Sequence, residues 1–360
     1  LTPTAYDNGK VLCVKPTDGS GDFDFSRNSA ATRVNAQGLV ENVQILSSNL
    51  VTNGDFSDGS TDWTLDTGWS IGDNKMTGNS ASGDSYQDLN LSGGEKTFKI
   101  TFDCIVNSGQ FAVRFINKQW VSASGTYTIY ETTTSSRLFV DGRASQLFSG
   151  SVTNISVVEI TTDTNLPRIN YEGGCGSWLF EPQSTNLVFQ SNTLTAISGG
   201  VVTPNAAISP DGTTNAIKVN FSTGVNSGGT ISIGGSSAAA STEYTFSFYA
   251  KNFSGDGTFR LRLDTDTQAT LVNEDFTATS DWVRYTHTFT TDAAASSFGS
   301  SSRFRNDTDN NEVLFFGMQL EQQSYATSYI PTSGSTVTRN QDLCTNGGSL
   351  ASINSTEGTL

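Results

Sequence analysis

Hydrolysis of a glycan needs two carboxyl groups roughly 5–10 Å apart, flanking the bond to be cut. Two pairs in this sequence qualify by spacing: Asp264 with Asp266, and Asp22 with Asp24, each two positions apart and so on one face of an extended chain. Acidic residues are abundant, 35 against 20 basic ones, and neither pair stands among other reactive groups, so both read as solvated edges. The single histidine, His287, lies in Trp282-Val283-Arg284-Tyr285-Thr286-His287-Thr288-Phe289. Alternation puts it on the face of Val283, Tyr285 and Phe289, as a packed or half-exposed strand residue, with no nucleophile and orienting group beside it. Cys13, Cys104, Cys175 and Cys344 are far apart and form no Cys-x-x-Cys pair. Neither a zinc site nor a disulfide framework is expected. Gly228-Gly229 and Gly234-Gly235 lack the lysine of a phosphate-cradling loop and read as turns. Nothing here points to an enzyme.

Two binding chemistries remain. Hard cations take oxygen ligands clustered in loops, and two clusters fit Ca²⁺: Asn53, Asp55 and Asp58, and the run 306–312 with Asp307 and Asp309. No other cofactor is called for. Sugars need aromatic faces with polar groups beside them. In the run 111–120, alternation sends Phe111, Val113 and Phe115 to the core and sets Arg114, Lys118 and Trp120 on the outer face. Further on, Phe259, Leu261 and Leu263 point inward, leaving Arg260, Arg262 and Asp264 outside. The glycan-binding candidates are therefore Trp120, Arg114, Lys118, Arg262 and Asp264. The structural alternative is that Trp120 caps a core edge or lies in a protein–protein contact.

The elements that must carry these residues are strands. Period-2 alternation recurs throughout, punctuated by Gly, Ser, Asn and Thr, and helical periodicity is almost absent. The clearest runs are 98–106, 111–120, 125–130, 137–140 and 154–160, then 216–221, 230–233, 244–251, 258–263, 282–290 and 313–320. Apolar residues make up 35% of 360, with 35 Gly and 22 Phe, enough for real cores. A nearly repeated phrase, Ser47-Ser48-Asn49-Leu50-Val51 and Ser184-Thr185-Asn186-Leu187-Val188, opens two long β regions. The fold class is all-β: two tandem jelly-roll β-sandwiches plus a small N-terminal β unit completed after the first sandwich. The expected domains are 1–45 completed by 165–183, 46–164, 184–325, and a connector over 326–360, ordered only where its aromatics dock. Within the small unit, a hairpin at 23–41 and another at 166–182 are expected to pair with each other. Cys104 should point into the first core. A net charge of −15 with no basic run disfavours nucleic acid, and no apolar run is long enough to insert into a membrane as a helix.

Family likenesses rest on particular residues. Asn49-Leu50-Val51 with Asn53-Gly54-Asp55-Phe56 and Trp63, and later 244–251, Phe276 and 282–285, resemble the carbohydrate-binding jelly-roll modules attached to many glycoside hydrolases. In that family a structural Ca²⁺ links the first-strand region to an acidic residue near the last strand, but the run 154–160 lacks the usual paired Asp. Three further blocks are similar to parts of bacteriophage tail-fibre, head-fibre and minor tail proteins: 25–34 with Gly38-Leu39-Val40-Glu41, Pro167–Tyr171 with 179–187, and Gln319-Leu320-Glu321 with 324–332. The resemblance implies a structural virion protein, assembled in the host cytoplasm with other virion proteins. Its sandwiches would act as spacers or as adhesion modules for a cell-surface glycan, in a homo-oligomer, commonly a trimer. A lectin-like domain often follows in such proteins, and the run 355–360 reads as the start of a strand. The other reading is a secreted bacterial carbohydrate-binding protein, or an accessory region of a polysaccharide-degrading enzyme.

Overall fold

The computed structural model describes residues 5–12, 23–91, 93–197, 199–221, 227–306 and 311–346. Every regular element among them is a strand, so the fold is all-β as expected. Residues Gln44–Thr162 form one compact unit; the described residues up to Val43 and from Asp163 onward form another.

In the first unit a large sheet runs in the order 125–133, 96–108, 148–162, 75–81, 69–72, with Ile45–Leu46 also on 148–162. A smaller sheet runs 111–114, 137–142, 84–88. Alternate residues of Lys96–Ser108 fill the core: Phe98, Ile100, Phe102 and Cys104. Opposite them lie Phe111, Val113, Leu138 and Val140, with Phe98 and Phe115 rings 4.9 Å apart. The long strand Phe148–Thr162 changes parity midway, from Phe148 and Val152 to Ile155 and Val157. A bulge at Asn154, in the left-handed region at φ 52°, absorbs the extra residue while its amide donates to Asp103 at 2.7 Å. Gly54 belongs to the same region: a Cβ there would lie 2.0 Å from the Ile155 carbonyl oxygen. The 53–56 turn thus tucks against the long strand and buries Phe56.

One expected strand is cut short. The run 111–120 is a strand only over Phe111–Arg114. Buried Glu131 explains why: its carboxylate accepts the successive N–H groups of Phe115, Ile116 and Asn117 at 3.0, 2.6 and 2.8 Å. Those donors cannot serve a sheet ladder, so the chain turns. Strands 69–72, 75–81, 84–88, 270–277 and 303–306 were not expected; each is short or interrupts its alternation with Gly, Asn or charged residues.

The second sandwich has two five-stranded sheets. One runs 194–197, 227–231, 303–306, 258–264, 270–277; the other 201–208, 214–221, 311–321, 243–254, 283–290. Phe248, Phe259, Phe304 and Phe315 pack between them, Phe304 stacking on Phe315 at 4.2 Å. His287 is half-buried, edge-on to Phe276 at 6.5 Å.

Beside this sandwich lie the hairpins Thr32–Val34/Val40–Asn42 and Arg168–Asn170/Ser177–Leu179. They meet: Tyr171 N–H donates to the Val34 carbonyl at 3.0 Å, and Val34 N–H to Asn170 Oδ1 at 2.8 Å. Residues 326–346 are more ordered than a connector with docked aromatics. Val337–Arg339 pairs with Ser184–Asn186, Leu343–Thr345 pairs with Phe23–Ser26, and Tyr329 and Ile330 are buried. Three buried arginines gather around Asp342. Arg27 Nη1 lies 3.0 Å from it, Arg168 Nη2 pairs with it more closely, and Arg339 reaches both Asp342 and Glu181. Glu181 also receives Arg168 at 2.8 Å and the N–H and hydroxyl of Ser328. Burial alone would raise its carboxyl, but Arg168, Arg339 and Ser328 together hold it below the usual range.

Candidate functional site

The outer face of the smaller sheet in the first unit gathers charge and aromatic surface. Core residues Leu138 and Val140 fix the inward parity of one strand, which turns Arg137, Phe139 and Asp141 outward. Its neighbour buries Ser85 and Gln87 and presents Asp84, Tyr86 and Asp88. Arg114 comes from the third strand. The three strands pair Asp84 with Asp141, Tyr86 with Phe139, and Phe139 with Arg114.

Cations cover the rings on this face. Arg137 Cζ stands 4.0 Å over Tyr86 and is held there by Asp88 at 2.7 and 3.1 Å. Arg114 Cζ stands 4.7 Å over Phe139. Arg114 also reaches Asp141 at 2.8 Å and Asp84 at 3.2 Å, while Lys118 Nζ reaches Asp141 at 2.6 Å. Asp84 and Asp141 stand directly opposite each other on neighbouring strands. Burial, the bond to Asp141 and its charge push Asp84 up to about 6, against the pull of Arg114 and Lys118. Asp141 moves the other way: burial opposes its ionisation, but donors from Asp84, Lys118 and Arg114 prevail. Two carboxyl groups set side by side resist losing both protons, so Asp84 keeps its proton to higher pH than Asp141.

On the far side of Tyr86 the sheet edge opens into a cleft of about 430 Å³. Asp62, Thr64, Tyr86, Gln87 and Asp88 supply its polar lining and Leu50 and Leu89 its apolar part. Thr64 and Tyr86 exchange backbone hydrogen bonds at 2.9 Å, fixing the cleft floor. Gln87, turned inward, bonds both ways with the Thr52 backbone at 3.0 and 2.8 Å.

The structure brings the candidates Arg114, Lys118 and Trp120 together, though not along one strand. The Glu131-bound turn carries Lys118 back onto Asp141, with Trp120 beside Lys118. Arg114 is 7% exposed, not the open surface residue that alternation implied, because Phe139 and two carboxylates enclose it. Trp120 is half-buried with Lys118 Nζ and Arg143 Cζ each 5.3 Å from its ring centre. Two cations thus flank the Trp120 ring. Tyr86 borders the cleft. The sequence carried its signal: Asp84-x-Tyr86-x-Asp88 and Arg137-x-Phe139-x-Asp141 alternate like the run 111–115, with polar and aromatic residues on the parity opposite the core.

In the second sandwich Arg262 and Asp264 share a face, but Asp264 is 2% exposed, far from an open surface group. Arg262 Nε binds it at 2.9 and 3.0 Å and Thr270 donates to it at 3.0 Å, so the 299–302 turn and Thr270 close over it. Of the calcium candidates, Asp307 and Asp309 lie outside the described residues. Asp55 accepts the N–H and hydroxyl of Ser57, which hold it below the ordinary carboxylate range despite some burial cost. Asn53 Oδ1 accepts Asp58 N–H, and its amide binds the carbonyls of Gly59 and Thr61. These oxygens already serve the turn, and no group of three His, Cys, Asp or Glu able to hold a metal forms among the described residues. Of the cysteines described, Cys104 is buried, its thiol pushed up to about 11 by burial; Cys175 and Cys344 are exposed.

No protein-family model and no curated protein sequence matches this chain. Solved structures do resemble it. A variant of the family 29 carbohydrate-binding module CBM29-2 is 10% identical, with 39% of this chain and 91% of that chain covered and a TM-score of 0.27. The CBM22-1 xylan-binding domain of Paenibacillus barcinonensis Xyn10C is 15% identical, with 40% of this chain and 94% of that one covered and a TM-score of 0.29. The tandem CBM22-1–CBM22-2 domain of the same protein is 10% identical, with 77% of this chain and 98% of that one covered and a TM-score of 0.27. At such identities and scores the likeness is one of architecture alone.

Proposed function

We propose that this chain is an attachment protein whose first sandwich binds a glycan at the Tyr86 edge of its smaller sheet. The observation that carries the reading is the cleft beside Tyr86. Its volume suits one or two sugar rings, and an aromatic side chain stands among carboxylate, amide and hydroxyl groups that can fix hydroxyl orientation. Arg137 stands over one face of the Tyr86 ring, and on this reading an apolar sugar face packs against the part of the ring that borders the cleft. The binding is non-covalent and the protein turns nothing over.

The setting we propose is a bacteriophage particle, as a tail-fibre, head-fibre or minor tail component. The three sequence blocks similar to such proteins are the segments that supply Arg27, Arg168, Glu181 and Ser328 to the cluster around Asp342. On this reading the cluster ties the segments flanking the second sandwich into a stiff base, and the protein works as an oligomer, commonly a trimer.

The test is a glycan array followed by titration calorimetry on the whole chain. Wild type should bind a defined set of oligosaccharides, and Tyr86→Ala should weaken the best ligand tenfold or more, about 1.4 kcal/mol. Trp120→Ala should change it little. Binding to no glycan, or full binding by the Tyr86 variant, would overturn the proposal. Native mass and cryo-electron microscopy of particles test the oligomer and its place in a virion.

A further inference from the structure

Four of the chain's twelve arginines stand on one sheet face of the second sandwich. Phe259, Leu261 and Phe304 point into the core, so Arg260 and Arg262 on one strand, and Arg303 and Arg305 on the next, point out. Register makes them direct partners: Arg260 opposite Arg305, Arg262 opposite Arg303. Like charges directly opposite one another on a sheet are destabilising, and this chain has few cations to place, at a net charge of −15.

Internal carboxylates answer this charge at Arg260 and Arg262 but not at Arg303, and the charge of Arg305 also bears on Asp275. Asp275 grips Arg260 at 2.5 and 2.8 Å, and Asp264 grips Arg262. Arg305 donates to the neutral amide of Asn273 at 3.0 Å. Arg303 has no carboxylate within ion-pairing distance among the described residues. Its Nε is buried with no hydrogen-bond partner, although the residue as a whole is half-buried. Burial, then the charges of Arg262 and Arg305, lower its proton affinity, and Asp264, already held by Arg262, only partly offsets them. On its other side Arg303 faces the short side chain of Thr230.

We infer that this face binds an acidic polysaccharide, one whose repeating units carry carboxylate or sulfate groups. Arginine's planar fork matches both groups with paired hydrogen bonds. Residues two apart on a strand are about 6.6 Å apart and neighbouring strands about 4.8 Å apart. The guanidinium groups therefore form a small lattice that meets charges repeated along a polymer better than a single ion. No ring of Phe259 or Phe304 is available for base stacking, which single-stranded nucleic acid would need, and the acidic protein repels a polyphosphate. The site is separate from the Tyr86 cleft and stands or falls without it.

The test uses the whole chain with four probes at low salt: polygalacturonate, dextran sulfate, neutral dextran and duplex DNA. Wild type should bind one or both acidic polysaccharides, weaken as salt rises, and ignore neutral dextran. The two acidic probes decide between carboxylate and sulfate. Arg303→Ala should weaken binding at least tenfold, and Arg303→Lys should restore part of it by returning the charge without the fork. Tyr86→Ala should leave it unchanged. DNA bound as tightly as either polysaccharide, loss on Tyr86→Ala, or undiminished binding by a folded Arg303→Ala variant would each overturn the inference. Should Arg303→Ala fail to fold, Arg260→Gln, on a side chain 30% exposed, must show the same selective weakening.

Discussion

Two clusters of arginine divide the cations of this molecule into two kinds. Around Asp342, Arg27, Arg168 and Arg339 each reach a carboxylate within 4 Å, and their side chains are sealed from solvent. On the second sandwich Arg260, Arg262, Arg303 and Arg305 face each other across two strands and remain partly open. An unpartnered nitrogen does not separate the two kinds. Arg27 Nη2, Arg168 Nε and Arg339 Nε lack partners just as Arg303 Nε does. What separates them is exposure: the first three side chains are sealed, while the four on the second sandwich are partly open and Arg303 among them has no carboxylate within ion-pairing distance among the described residues. The first cluster holds segments of the same chain together; the second is left for something else.

The sharpest way to break the comparison is to remove the carboxylate at the centre of the closed cluster. Asp342→Ala would strand Arg27 and Arg168 in a buried site. A loss of about 3–5 kcal/mol is expected for a broken buried pair, read by urea unfolding followed by tryptophan fluorescence. A loss below about 1 kcal/mol would mean that water reaches the cluster and that it is not closed.

A smaller effect is expected at Glu131, which serves backbone and not cations. Glu131→Gln leaves one oxygen for three N–H donors and adds donors of its own, costing about 1–3 kcal/mol. Because this turn carries Lys118 and Trp120, the emission of Trp120 should shift to the red as well. Unchanged stability and emission would show that the turn holds itself without the carboxylate.

Glu131 also shows what sequence could and could not reveal. Alternation gave the inward residues correctly, from Phe98, Ile100 and Phe102 to Phe259, Leu261 and Leu263, because core parity is a local property of a strand. It put Arg114, Lys118 and Trp120 together, yet extended their strand six residues too far. The carboxylate that ends it comes from position 131, on another strand. Exposure was misjudged at Arg114 and Asp264 for a related reason: alternation tells which face a side chain takes, not what else lies there. Tyr86 and Asp84 went unnoticed because their strand is an edge of only five residues, and the cleft beside it depends on Thr64 pairing across a loop. Pairings this distant leave no periodic mark.

If the open cluster is truly open, Arg303→Ala should change stability by no more than about 0.5 kcal/mol, as surface substitutions do, while acidic-polymer binding falls. Relief of the Arg262–Arg303 repulsion could even make the change favourable. Differential scanning calorimetry of the variant decides it. A loss as large as that of Asp342→Ala would place Arg303 with the closed cluster.

The smallest effect expected is a pH dependence, and it comes from the face that mixes both kinds of environment. Asp84 titrates at about 6 in the folded protein, against about 3.9 for an aspartate in an unfolded chain. Between those values the folded state binds more protons, so the stability Asp84 contributes is full below about pH 4 and is lost as pH rises through 6. The many carboxylates held below their usual range, such as Glu181 and Asp141, act in the opposite sense. The effect must therefore be read as a difference between proteins. Asp84→Asn keeps a neutral donor toward Asp141 at every pH and should gain on wild type as pH rises from 4 to 7, by a modest amount because the Asp84 side chain is 43% exposed. Unfolding midpoints in urea at four pH values give the two curves. If they run parallel, Asp84 keeps its proton to no higher pH than an ordinary aspartate, and the charge on this face is as settled as that around Asp342.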